Sequence, residues 1–194
     1  MINNIKKIVL ASAIISTSLV AGDSDFSFDS ETSLVAIEAG YSVLNNKMSD
    51  GVTSLNNDYN FGHIGLKLGA RSDDYRIFVS AAYYADTDDT FDSLATFGVE
   101  GQYMFEASKA LDLFIGLNLG LASIEFTGDG ENFSRTATDV YYGIDVGTNI
   151  HVSKDIDIDI GARYMSLNTE NTKSSVSYQF DNVISGYMSV IYKY

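Results

Sequence analysis

The sequence predicts an all-β fold, a single eight-stranded antiparallel up-and-down barrel that crosses a membrane. Three observations carry that reading. Apolar residues alternate with small or polar ones at a period of two in segment after segment, which places them on opposite faces of extended strands. The connections between those segments alternate long and short, the asymmetry of an up-and-down barrel with long loops at one end and tight turns at the other. The chain also contains no proline, a residue that cannot donate to a strand ladder.

The amino terminus reads as a leader. Lys6 and Lys7 precede the apolar run Ile8 to Ile15, and a small, polar stretch from Ser16 to Gly22 follows; these are the three parts of a secretory signal peptide, predicted over residues 1–21. Residues 22–32 are expected to form a short acidic periplasmic arm, and residues 33–194 the barrel. The formal charge is −14, and losing Lys6 and Lys7 with the leader makes the mature chain more acidic still. Such a chain repels nucleic acid, so no nucleic-acid partner is expected. The absence of cysteine excludes disulfides, a lipid-modified amino terminus and thiol chemistry. Nothing approaches ~18 consecutive apolar residues, which excludes a helical membrane span.

The first strand is predicted from about Leu34 to Leu44, with Val35, Ile37, Ala39, Tyr41 and Val43 on one face, followed by a polar loop from Asn45 to Asp58. The second, Tyr59 to Arg71, sets Ile64, Leu66 and Leu68 against His63, Lys67 and Arg71. A tight turn leads to the third, Tyr75 to Ala85, and an acidic loop to the fourth, Leu94 to Phe105, where Phe97, Val99, Tyr103 and Phe105 oppose Glu100 and Gln102. The fifth alternates most regularly, with Leu111, Leu113, Ile115, Leu117, Leu119 and Leu121 on one face and Asp112, Phe114, Gly116, Asn118 and Gly120 on the other. A polar loop follows, then the sixth strand, Asp139 to His151. The seventh opposes Ile156, Ile158, Ile160 and Tyr164 to Asp157, Asp159 and Arg163, and a loop from Asn168 to Ser177 leads to the eighth, Val183 to Tyr194.

Which face meets lipid follows from the polar faces. Gly116, Asn118, Gly120 and Ala122 make a poor water-facing surface, which normally carries lysines and glutamates. As lumen residues they fit, because eight strands leave an interior just wide enough for side chains. The apolar faces also carry aromatics at both ends: Tyr41, Tyr83, Tyr142 and Tyr164 near the long loops, and Tyr75, Tyr103, Phe105, Tyr192 and Tyr194 near the short turns. Those positions predict two interfacial girdles.

The last strand ends on Tyr194 with Tyr192 two positions before it and small Ser189 where a glycine is common. That ending resembles the terminal signal of outer-membrane β-barrel proteins, and the whole pattern resembles small eight-stranded barrels of the OmpA and OmpX kind. The resemblance implies an outer-membrane location, both termini in the periplasm, contact with lipid and lipopolysaccharide, and insertion by the barrel-assembly machinery. The peptidoglycan-binding domain that follows the barrel in OmpA-type proteins is not expected, since the sequence stops at Tyr194. A monomer is expected. The family includes structural, adhesive, pore-forming and enzymatic members, so the resemblance fixes no function.

The predicted lumen collects Glu38, His63, Lys67, Arg71, Arg76, Glu100, Gln102, Asp145, Asp157, Asp159, Arg163 and Lys193. Hairpin registers place Arg76 near Glu100 and Gln102, and Arg163 near Asp145. Buried charges must be paired, so an ion-pair network filling the barrel is the expected arrangement. The sharper alternative is a narrow gated ion path in which Lys67 or Arg76 exchanges between Glu38 and Glu100. Asp86, Asp88, Asp89 and Asp92 crowd one loop, and Asp129 and Glu131 another, without a full calcium-loop pattern; solvated acidic loops are expected, with no metal or cofactor. A lipid-modifying hydrolase needs a serine, a histidine and an acid together near the outer rim. No serine is placed beside His63 or His151 by strand pairing, so no catalytic site is expected. The function read from the sequence is structural or surface-interacting, with a low-conductance pore as the alternative and a lipid-modifying enzyme third.

Overall fold

In the structure, a computed structural model that describes residues 32–49, 54–86, 93–127, 134–173 and 176–194, eight antiparallel strands follow one another around a closed barrel. They are β1 (Thr32–Ser49), β2 (Ser54–Arg71), β3 (Tyr75–Asp86), β4 (Ser93–Ser108), β5 (Leu111–Thr127), β6 (Ser134–His151), β7 (Ile156–Lys173) and β8 (Val176–Lys193). Each pairs with its sequence neighbours, and β1 closes onto β8. The predicted leader and nearly all of the arm lie outside the described residues, as do Asp88, Asp89, Asp92, Asp129 and Glu131.

The alternation along each strand produces the two faces directly. On β5, Leu113, Ile115, Leu117, Leu119 and Leu121 point outward, while Asp112, Phe114 and Asn118 are buried. Ile37, Leu66, Leu68, Ile144, Ile160 and Val190 continue that outward apolar surface around the barrel. An apolar area this extensive suits a solvent of lipid tails rather than water. Within the lumen the backbone is already satisfied by the ladders, so the problem left to the side chains is filling space and pairing charge.

Three predicted loops are shorter than the sequence suggests. β1 and β2 stay paired out to Ser49 and Ser54, β5 and β6 out to Thr127 and Ser134, and β7 and β8 out to Lys173 and Val176. The apolar period ends there while backbone pairing continues. A polar run such as Asn45 to Lys47 then reads as loop although it is strand. Pairing on both sides of β8 skips Asp181, between Asn182 and Phe180, a bulge at the long-loop end where barrels commonly carry one.

Closure is carried to the last residue. Ser33 and Tyr194 exchange both backbone hydrogen bonds, at 3.1 and 3.0 Å. The tight turns at the other end of the hairpins are residues 72–74, 109–110 and 152–155.

Candidate functional site

The lumen is built in layers that the strand period supplies one residue pair at a time. At the long-loop end, Leu44, Phe61, Tyr84, Leu94, Tyr141, Met165, Leu167 and Val183 pack into one apolar cluster. Tyr141 fits there because Gly98 and Gly120 lie under its ring; a Cβ at Gly120 would come 2.7 Å from the ring edge.

Beneath that plug lies a buried charged core. Arg163 donates from Nε to Asp145 Oδ1 at 2.6 Å, from Nη1 to Glu38 Oε1 at 2.8 Å and from Nη2 to Glu100 Oε2 at 3.1 Å. Lys67 Nζ lies 2.7 Å from Glu38 Oε2 and 3.0 Å from Glu100 Oε2. Both cations also rest on the Tyr187 ring, with Lys67 Nζ 5.0 Å and Arg163 Cζ 4.7 Å from its centroid. Tyr187 reaches this position over Gly161, where a Cβ would sit 2.7 Å from the ring. Asn118 donates to Asp145 at 2.7 Å, and the Gln102 amide donates to Glu100.

A second group lies nearer the short turns. Arg76 grips Asp159 with two donors at 2.9 and 3.2 Å and Gln102 with a third at 2.9 Å, while Asn149 adds a 2.6 Å bond to Asp159. Arg76 packs between the rings of Phe78 and Phe114. The ladder sets Arg76 opposite Gln102 and one same-face position from Glu100, as the hairpin register predicts, but its ion pair is with Asp159, across the lumen on β7. The exchange imagined for Lys67 is also altered, since Lys67 touches Glu38 and Glu100 together, and Arg76 makes its ion pair with Asp159 instead.

At the short-turn mouth the basic side chains of the last layer are partly exposed, while its two carboxylates are buried. Arg71 donates to Asp112 at 2.8 Å and Lys193 to Asp157 at 2.7 Å, with His151 between the two acids. Asp112 and His151 were not among the predicted lumen charges, although Asp112 shares its strand face with Asn118, and the period alone places it inside.

His63 has a serine beside it after all, which corrects the sequence reading. Ser42 Oγ lies 2.9 Å from His63 Nδ1 and 2.7 Å from Ser185 Oγ, and Glu38 Oε1 lies 3.4 Å from His63 Nε2. The register pairs His63 with Gly40, and Ser42 is its diagonal neighbour on the same face. The residue types are those of a hydrolase, but the setting is not. Ser42 is 0% exposed and sits inside the lumen rather than at the rim, so no acyl chain can reach its hydroxyl in this conformation.

The aromatics placed in the two girdles sit on the outer surface. Tyr41, Tyr83, Tyr142 and Tyr164 are exposed near the long-loop end, and Tyr75, Phe105, Tyr192 and Tyr194 near the short turns. Tyr103 lies between Tyr75 and Phe105, edge-on to both, and Tyr192 stacks on Tyr194.

Several solved structures share this architecture. Neisserial surface protein A (NspA) is 20% identical, with a TM-score of 0.60 over 82% of this chain and 99% of that one. OprG of Pseudomonas aeruginosa is 12% identical, with a TM-score of 0.56 over 83% and 95% of the two chains. OprH of P. aeruginosa is 21% identical, with a TM-score of 0.52 over 81% and 99%. These identities speak to the fold alone. No curated protein sequence matches the chain. The family described as the outer membrane protein beta-barrel domain matches residues 8–187, and the chain belongs to it.

Proposed function

We propose that the protein is a closed outer-membrane barrel whose role is structural or surface-interacting, holding its four long-loop hairpins outside the cell. Both chain ends lie on the periplasmic side in this reading, the outward face contacts lipid and lipopolysaccharide, and Tyr192 and Tyr194 serve as the signal read by the assembly machinery. One observation carries it: among the described residues the lumen is crossed by three successive closures, the Leu44–Phe61–Leu94–Val183 plug, the Arg163-centred ion pairs and the Arg76–Asp159 pair. Hairpins on a filled, rigid barrel are suited to contacts with other molecules, because the scaffold keeps their bases in place. The test is ion flux from liposomes holding the refolded chain. Retention of entrapped potassium is expected, and leakage proportional to protein content would overturn the reading.

A small, low-conductance pore is the second reading, favoured by a specific feature of the core. Lys67 and Arg163 each bridge Glu38 and Glu100 at similar distances, so either cation can let go of one acid while it stays paired with the other. Glu100→Lys removes one acceptor and adds a like charge. Single-channel conductance unchanged by that substitution would eliminate the exchange gate. A lipid-modifying enzyme is disfavoured by the enclosure of Ser42.

A further inference from the structure

A small cavity lies where the apolar plug meets the charged core. Tyr84, Tyr141 and Met165 of the plug line one part of it, and Glu38, Lys67, Glu100 and Arg163 of the core line another. The centre of a water-sized molecule has about 10 Å³ to occupy inside, which is room for one such molecule.

Two of the residues on its wall carry unmet hydrogen-bonding capacity. Among the described residues, Tyr84 Oη and Asn118 Oδ1 are buried oxygens with no hydrogen-bond partner, and both residues line the cavity. Tyr84 is 0% exposed and Asn118 6%. The Tyr84 ring is held in place beside the ring of His63, 4.8 Å away. Asn118 spends an amide hydrogen on Asp145 at 2.7 Å, which fixes the amide group and assigns its oxygen the role of acceptor. Folded proteins rarely leave such groups unpaired, because each lost its bonds to solvent on burial.

The chemistry of the two atoms selects the occupant. The tyrosine O–H needs an acceptor, and the amide oxygen needs a donor. A cation gives the hydroxyl hydrogen nothing to bond, and an anion gives the amide oxygen nothing. Water serves both. The charged residues on the wall also favour a neutral molecule, since Glu38 and Glu100 are offset by Lys67 and Arg163. Ser80 and Thr96 line the same cavity, and a buried water takes two to four polar partners.

We propose that this cavity is the binding site of one structural water, which accepts from Tyr84 Oη, donates to Asn118 Oδ1 and so ties the plug to the charged core. From Asn118 the link continues through Asp145 to Arg163. Plug and core are then one hydrogen-bonded unit rather than two layers in contact.

The test pairs a high-resolution crystal structure of the refolded chain with the substitution Tyr84→Phe, which deletes the hydroxyl and keeps the ring. Density for one water within about 3.2 Å of both Tyr84 Oη and Asn118 Oδ1 is expected. Tyr84→Phe should lower the folded-to-unfolded ratio about fivefold in urea titration of heat-shifted gel mobility, because the water loses a donor. A hydroxyl that had no partner would be lost at no cost, so a ratio that stays the same or rises overturns the site. Well-defined side chains with no density between them do so too. That density is read in the unsubstituted chain, so the site can be refuted even where the variant does not fold.

Discussion

The two ends of this lumen are closed by different physics. At the long-loop end, Leu44, Phe61, Leu94, Met165 and Val183 exclude water by packing. At the short-turn end, Arg71, Asp112, His151, Asp157 and Lys193 meet in ion pairs beside open grooves. A packed apolar layer responds to volume and is indifferent to pH and salt. A ring of charges beside open grooves weakens as salt rises. The buried core between them belongs with neither, because its ions have no water to fall back on. Removing one partner there strands the others.

The substitutions that probe this contrast differ in size. Arg163→Met leaves Glu38 and Glu100 sharing Lys67 and takes the cation from Asp145, and should destabilise the barrel by roughly 3–5 kcal/mol, measured by urea titration of heat-shifted gel mobility. Leu94→Ala removes packing from the plug without touching a charge. A loss of roughly 2–5 kcal/mol is expected with the barrel still non-conducting, since the charged core remains below. Gly161→Val drives a side chain into the Tyr187 ring that supports Lys67 and Arg163, costing about 1–3 kcal/mol by the same titration. Arg71→Met should cost about 1 kcal/mol or less, and that small difference should shrink further in high salt, because the side chain is 21% exposed. Equal losses for Arg163→Met and Arg71→Met would erase the distinction between core and mouth.

Much of this barrel is legible in the sequence because its period is so strict. Leu111 to Leu121 alternate without a break, and that alone orients β5 and assigns Asn118 to the interior. Ladder neighbours are legible too: Arg163 lies opposite Asp145, and Arg76 opposite Gln102, as hairpin counting from the short turns and loops predicts. Partners across the lumen are a different matter. Arg76 meets Asp159 and Arg163 meets Glu38 only after strand tilt and stagger have set which layers face each other, and neither quantity is written in the spacing of residues. The same stagger hid Ser42 from His63, because they are diagonal rather than direct neighbours. Tyr187 lies on the face of Ser185 and Ser189, so the period of two places this aromatic in the lumen among small polar residues.

The central claim is that the lumen is sealed within a membrane-inserted barrel. It is tested most directly by one detergent-solubilised sample divided between two assays: gel mobility with and without boiling, and planar-bilayer conductance. A heat-shifted band from protein that gives no single-channel steps is the predicted result. Reproducible steps from the same heat-shifted sample would contradict the seal.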